Sequence, residues 1–343
     1  MLYNGKTIDV FKLTNARGMC VRITNFGARI LSVVVPDCQG IMRDVVLGFD
    51  EVLDYFPESH LSDFGALVGR YANRICDGQI TLNGQRIQLP QNNGKNCLHG
   101  GPDGWQYKPF EVVFSNDYQL KLSLISPDGD NRFPGTVQAS VIYTLTEDNA
   151  LEIQYEATTD KPTVINLTNH SYFNLDGTGS SPIYDHQLML NADSYLPIDE
   201  TSIPLGPLLS VAHTPMDFRI AKAIGQDIHA EDEQLHRGCG YDHCWVLNTQ
   251  GDSTLCAARL ESHHTGITMD VYTTEPGIQV YTSNFLDGVV GKRGEVYLQR
   301  SAVCMETQKF PDSPNQHWPQ SNAFLNPGET FRSFTKFKFS AHA

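Results

Sequence analysis

Nothing in the 343 residues approaches the run of about 18–20 apolar residues that crosses a bilayer. The longest stretch, Ile30-Leu31-Ser32-Val33-Val34-Val35, has only the length of a strand. The opening MLYNGKTIDVFKLTNA has no basic segment followed by an apolar one, so no secretory signal and no membrane partner are expected. Positive charge is scarce: 25 Lys and Arg stand against 39 Asp and Glu, a net of −14, with no basic block. Phosphate backbones are bound by clustered positive charge, so no nucleic acid is expected either. The eight cysteines form no C-x-x-C pair. In a chain this long they read as buried thiols in a reducing compartment, and the expected location is cytoplasmic. The G-x-S-x-G, P-loop and dinucleotide fingerprints are missing, which sets aside α/β-hydrolases, P-loop NTPases and Rossmann dehydrogenases. No low-complexity linker or short repeat divides the chain, so one domain over residues 1–343 is expected.

What is present is a core-forming composition, 40% hydrophobic and 19% charged, with a period of two. Leu151-Glu152-Ile153-Gln154-Tyr155-Glu156-Ala157 alternates strictly, as a half-buried strand does. Ala139 to Leu145 precedes it across a Glu147-Asp148-Asn149 turn. Ile80–Leu82 and Ile87–Leu89 flank Asn83-Gly84, the signal of a tight hairpin. Phe110–Phe114 and Leu120–Ile125 form a second hairpin pattern. Further strands are expected at Gln187–Leu190, Cys244–Leu247, Leu255–Leu260, Ile267–Thr273, Ile278–Tyr281, Ala302–Gln308 and Phe331–Phe339. Helical signals are thin, limited to Glu51–Phe56 and short turns within Ile220–Leu235. The expected fold class is all-β, a large antiparallel sandwich with few short helices.

Two segments carry polar groups where a strand ought to be apolar. In Asn169-His170-Ser171-Tyr172-Phe173-Asn174 an extended chain puts His170 and Tyr172 on one face, with Asn169, Ser171 and Phe173 on the other. An imidazole beside a phenol suits a polar cavity; the segment alone fits a hydrogen-bonded core histidine equally well. In Cys304-Met305-Glu306-Thr307-Gln308, Glu306 and Gln308 project together. A buried, unpaired carboxylate is expensive, and partial desolvation makes it a base; the alternative is a glutamate facing water at a strand edge. Gly69-Arg70-Tyr71-Ala72-Asn73-Arg74-Ile75 offers arginines behind a glycine, but without the strand–Gly-loop–helix context that would support a phosphate cradle. Leu98-His99-Gly100-Gly101 offers close backbone approach to a ligand, and Gly240-Tyr241-Asp242-His243 an acid beside an imidazole. His236 to Cys244 gathers two His, two Cys and an Asp, but without paired knuckles or H-E-x-x-H no metal is expected.

Taken in order, GRYANRI (69–75), LHGG (98–101), NHSYFNL (169–175), GYDH (240–243), PGIQVYTSNF (276–285) and ETQKFPDSPN (306–315) resemble the aldose 1-epimerase (galactose mutarotase) family over almost the whole chain. The resemblance implies a single β-supersandwich domain that interconverts the α and β anomers of free aldoses such as galactose and glucose. It puts His170 on the general acid and Glu306 on the general base. Asn73, Arg74, His99, Tyr172, Asp242 and Gln279 fall on substrate-binding positions. Cys76, Cys244 and Trp245 depart from the family pattern beside these blocks, which bears on pocket shape. The implied partner is a small sugar, the implied cofactor none, and the implied state a monomer or homodimer. The chemistry asks for one base and one acid, expected on opposite sides of the anomeric carbon, each proton transfer worth roughly 10²–10⁴-fold. Since an isolated imidazole is mostly neutral at pH 7, Asp242 is expected to help keep His170 charged. Rival readings are an epimerase of a phosphorylated hexose or disaccharide, with Arg70 and Arg74 as phosphate ligands. A glycosidase using Glu306 with Asp242 and a non-catalytic sugar-binding protein complete the alternatives.

Overall fold

The computed structural model describes residues 1–59, 62–179, 181–316 and 318–342; His60 and His317, two of the twelve histidines, lie outside them. Three antiparallel sheets carry the architecture. The largest has nine strands, in spatial order Glu111–Ser115, Gln119–Ser126, Val137–Leu145, Ala150–Thr159, Phe331–Ala341, Ile267–Thr273, Ala258–Glu261, Gln187–Leu190 and Lys222–Ala223. The alternating segments of the sequence fall here. Val137–Leu145 pairs with Ala150–Thr159 around the 146–149 turn, Leu145 opposite Leu151, so Val141, Tyr143, Leu151, Ile153 and Tyr155 all point inward. The second sheet has six strands: Tyr172–Phe173, Val303–Gln308, Gly277–Tyr281, Asp242–Val246, Ser194–Leu196 and Leu209–Ser210. A four-stranded sheet, Val10–Thr14, Cys20–Thr24, Arg29–Pro36 and Met42–Asp44, closes the N-terminal side.

The six-stranded and nine-stranded sheets share one apolar core. Val303, Met305, Ile278, Val280 and Trp245 from the smaller sheet join Val271, Ile153 and Phe337 from the larger. Phe173 meets Phe337 with ring centroids 5.1 Å apart, and Thr307 and Thr335 share a hydroxyl hydrogen bond of 2.5 Å. Because side chains alternate along a strand, every second residue of the smaller sheet is left facing away from this core. That outer face carries the polar residues.

Helix is confined to short pieces among the described residues, including 3₁₀ turns at Val52–Tyr55 and Ile224–Gln226, where the sequence suggests them, and α-helices at Ser313–Gln316 and Glu233–Gly238. Asp232 caps the last, accepting from the Gln234 and Leu235 amides at 2.8 and 3.2 Å. Two expectations are corrected. The expected 255–260 strand begins only at Ala258, because Asp252 turns the chain by accepting from the Thr254 amide. The 169–174 segment is two short strands with different partners: Thr168–His170 pairs with Ala66–Val68, and Tyr172–Phe173 with the strand of Glu306. The break comes at Ser171, whose amide and hydroxyl both donate to Asn169 Oδ1. His170 and Tyr172 still share a face, with the rings stacked 5.1 Å apart at 15°.

Candidate active site

Strand register assembles the site. Across four neighbouring strands, Tyr172, Cys304, Tyr281 and Asp242 stand opposite one another in one row. One step along, Glu306, Gln279 and Cys244 form the next. Both rows point away from the core, and over them lies a cavity of about 370 Å³, at the small end of the ~300–1,000 Å³ typical of small-molecule sites. His170 arrives from the strand beside this sheet. Its Nε2 lies 3.5 Å from Glu306 Oε1, and both side chains are buried.

The remaining wall is a loop pair. Arg74–Ile75 pairs with Cys97–Leu98, and just outside that ladder Asn73 and His99 both take left-handed backbone angles, φ 66° and 51°. They lock each other: the His99 amide donates to Asn73 O at 3.1 Å, and the Asn73 amide donates to His99 Nδ1 at 3.1 Å. Since Nδ1 accepts, Nε2 carries the proton of the neutral ring and is the donor available to a ligand. Burial holds His99 neutral, pulling its pKa down to about 3. Arg74 donates from Nε to Asn93 Oδ1 at 2.9 Å and reaches within 3.9 Å of Asp242. Gln279 donates to Asp242 Oδ1 at 2.7 Å.

Glu306 is the electrostatic centre. Burial, outweighing the attraction of His170, pushes its carboxyl up to about 7, with Asp242 and Asp63 adding repulsion. A carboxyl so placed is poised to exchange protons near neutral pH. Glu306 Oε2, His170 Nδ1, Gln279 Oε1 and Asp63 Oδ1 are all buried without a hydrogen-bond partner. A buried polar atom left unpaired is costly, and four of them around one cavity mark a site built for a ligand rich in hydroxyls.

The eight residues singled out from sequence are therefore brought together. Asn73, Arg74, His99, His170, Tyr172, Asp242 and Glu306 line the cavity, and Gln279 stands between Asp242 and Glu306. Several readings are corrected. His170 and Glu306 are close neighbours, 3.5 Å apart, which suits a hemiacetal, because the ring oxygen and the C1 hydroxyl share one carbon. Asp242 is engaged by Gln279 and Arg74; the carboxylates beside His170 are Glu306 and Asp63. Arg70 is no phosphate ligand: it is buried, donating to Pro134 O, Ser126 O and Ser126 Oγ. The glycine after His99 admits backbone of the protein itself, since a Cβ on Gly100 would stand 2.2 Å from Gly69 O. The His236–Cys244 run does not converge. His236 is exposed beside Glu231, Cys239 is exposed, and His243 Nδ1 accepts from the Asp242 amide. Among the described residues the one cluster with ion-binding donors within reach of one another is Asp63, His99 and His170.

Sequence reasoning missed Asp63, Asn93, Leu98, Tyr281 and Phe285, which also line the cavity. Tyr281 had a signal, lying two residues beyond Gln279 on the same strand face. Asn93 reads only as part of a turn, and Asp63 follows no local pattern.

Comparisons with known proteins bear on the family. A family profile described as Aldose 1-epimerase matches residues 9–338. The aldose 1-epimerase of Escherichia coli (strain K12) is 41% identical over 339 residues, spanning 98% of this chain and 97% of its own. The galactose mutarotase of Mus musculus is 43% identical over 339 residues, spanning 98% and 95%. Among solved structures, the GalM/aldose epimerase homologue from C. elegans superposes with a TM-score of 0.90 at 32% identity, covering 98% of this chain and all of the other. The galactose 1-epimerase from Lactobacillus acidophilus NCFM gives 0.87 at 30%, covering 100% and 97%.

Proposed function

The chain belongs to the aldose 1-epimerase family, and we propose that it interconverts the α and β anomers of free aldohexoses, galactose and glucose among them, with Glu306 as base and His170 as acid. The single observation that carries the roles is the buried 3.5 Å approach of His170 Nε2 to Glu306 Oε1 at the floor of a polar cavity. Glu306 takes the proton of the C1 hydroxyl while His170 gives one to the ring oxygen; the C1–O5 bond breaks and C1 becomes an aldehyde. Rotation about C1–C2 turns the other carbonyl face to the O5 hydroxyl. Reclosure returns the O5 proton to His170 and the Glu306 proton to the new C1 hydroxyl, so both residues end as they began. His99 Nε2–H, Arg74, Asn73, Asp242 and Gln279 hold the remaining hydroxyls, which keeps the open chain in place between the two ring closures.

The same reading extends to the rest of the molecule. Residues 1–343 act as one domain, supported by a core cluster that runs from Leu13 to Phe339. The partner is a small sugar, bound without a cofactor, and not a nucleic acid or a membrane; among the described residues no helix is long and apolar enough to cross one. Eight unpaired thiols support a cytoplasmic setting. A monomer or homodimer suffices, since the acid, base and sugar-binding groups all come from one chain. Polarimetry on freshly dissolved α-glucose, α-galactose, xylose, maltose and glucose 6-phosphate tests the reading. Accelerated mutarotation of the free hexoses is expected; acceleration confined to the phosphate ester, or saturable binding with no acceleration, would overturn it.

A further inference from the structure

Asp63 lies outside every motif that the resemblance rests on, yet the fold clamps it against the acid. Arg29, buried, donates to Ser62 O at 2.8 Å and to Phe64 O at 3.0 Å, holding the main chain on both sides of Asp63. Two residues on, the Gly65 amide donates to His170 O at 3.0 Å, and Ala66 stands opposite His170 in the ladder. Gly65 must be glycine: φ is 67°, and a Cβ there would sit 1.9 Å from Ile30 O. The outcome is a carboxylate whose oxygen lies within 4.8 Å of ring nitrogens of both His99 and His170, with Oδ1 buried and without a donor.

We propose that Asp63 is a positioning residue for the acid, its fixed negative charge keeping the transferable proton on His170 rather than letting it pass to Glu306. This rests on the reading of His170 and Glu306 as the acid–base pair. Those two groups touch, so the proton can reside on either. With the proton on Glu306, the acid has nothing to give and the base cannot accept; only the charged arrangement is productive. An anion within 4.8 Å of the imidazole favours that arrangement. Asp63 also repels the Glu306 carboxylate, so the bias is the excess of its attraction for the nearby charged imidazole over that repulsion, and it persists when Glu306 is neutralised by the C1 proton. Of the other charged groups facing the pair, Arg74 attracts Glu306 and favours the charged arrangement, while Asp242 repels Glu306 and opposes it. His99 is held neutral by burial, Tyr172 and Tyr281 are held as phenols by burial, and Arg74 and Asp242 face each other across 3.9 Å. Arg29 lies behind Asp63 with its donors on main-chain carbonyls.

The test is Asp63→Asn, with Asp63→Ser as a second variant should the first fold poorly. Two readouts are needed: the pH profile of kcat/KM by polarimetry, and the titration of the His170 imidazole by ¹⁵N NMR in the ligand-free protein. Removing the anion lets the imidazole lose its proton at lower pH. The alkaline limb of the profile is therefore expected to move down by about one pH unit. That is roughly a tenfold loss at a pH above both limbs, with the acid limb also moving down as Glu306 loses the repulsion of Asp63, and with the KM changed by less than about twofold. Asp63→Glu is expected to restore part of the shift, and the NMR midpoint to move with the kinetic one. An unmoved NMR midpoint, or a loss equal at every pH accompanied by a raised KM, overturns the proposal. If the parent chain failed to accelerate mutarotation, the functional reading would fall, and the NMR comparison would still decide whether Asp63 holds the proton.

Discussion

The two faces of the six-stranded sheet are made by the same strands and differ in everything else. Along Val303–Gln308, residues 303, 305 and 307 enter a dry core, while 304, 306 and 308 face the site side. Met305 and Glu306 are adjacent and equally hidden, at 1% and 2% exposure. Met305 is surrounded by apolar side chains, whereas Glu306 has an imidazole, two further carboxylates and an unpaired oxygen. Burial on one face stabilises the fold; on the other it makes a carboxylate reluctant to ionise. The lesson is that exposure does not separate structural from functional positions here, and hydrogen-bond satisfaction does.

That contrast can be broken most severely at His170 and Glu306, the proposed acid–base pair. Glu306→Gln and His170→Asn are each expected to lower kcat by at least about 10²-fold with the fold intact, by polarimetry and circular dichroism; near-parental rates in either would refute the roles. Glu306→Gln has a second signature. The folded carboxyl keeps its proton up to about pH 7, against 4.5 for the ordinary group. The folded state therefore binds more protons in that window, and stability falls as pH rises through it. Glutamine removes this penalty, so the variant is expected to be more stable than the parent at pH 8, by on the order of 1–3 kcal/mol, and to lose the advantage near pH 4. Denaturant titrations at the two pH values check it.

One residue away, Met305→Ala is expected to cost about 2–5 kcal/mol of stability through the cavity it leaves, while KM for the sugar stays within about twofold. A smaller effect is expected from Asp242→Asn. Asp242 repels the Glu306 charge, so its loss is expected to move the acid limb of kcat/KM to lower pH by a fraction of a unit. KM rises as the sugar loses an acceptor. An unmoved acid limb would remove Asp242 from the electrostatics of the pair. The smallest change is Thr307→Val, which breaks the hydroxyl pair with Thr335 between the sheets. It is expected to cost about 1 kcal/mol with unchanged kinetics.

The all-β class and most strands were legible because the period of two is a direct imprint of half-buried sheets, and because Asn83-Gly84 marks its turn chemically. Glu306 was legible for a related reason: a carboxylate among Cys304, Met305 and Thr307 breaks the apolar expectation for a central strand. The blocks holding Asn73, Arg74 and His99 stood out as candidate ligand segments, but their sugar-binding roles came only through the resemblance, since their meaning lies in a left-handed loop pair that composition does not announce. Asp63 was not legible at all. Its neighbours in sequence form no pattern, and it meets His170 through a ladder joining segments about a hundred residues apart. The side-by-side placement of His170 and Glu306 was equally hidden, because alternation says which face a residue takes and not how close two strands bring it to a third.

The two polar rows across Tyr172, Cys304, Tyr281, Asp242 and across Glu306, Gln279, Cys244 also bear on how such a protein can drift in evolution. Inserting or deleting a single amino acid inside any of these four segments inverts the parity of every later position in that strand, sending the chemistry into the oily interior and oily groups into the hollow. Loops between them can lengthen freely, but within the segments only paired changes keep the enzyme alive. Length variation among descendants of this chain is thus confined to the connections.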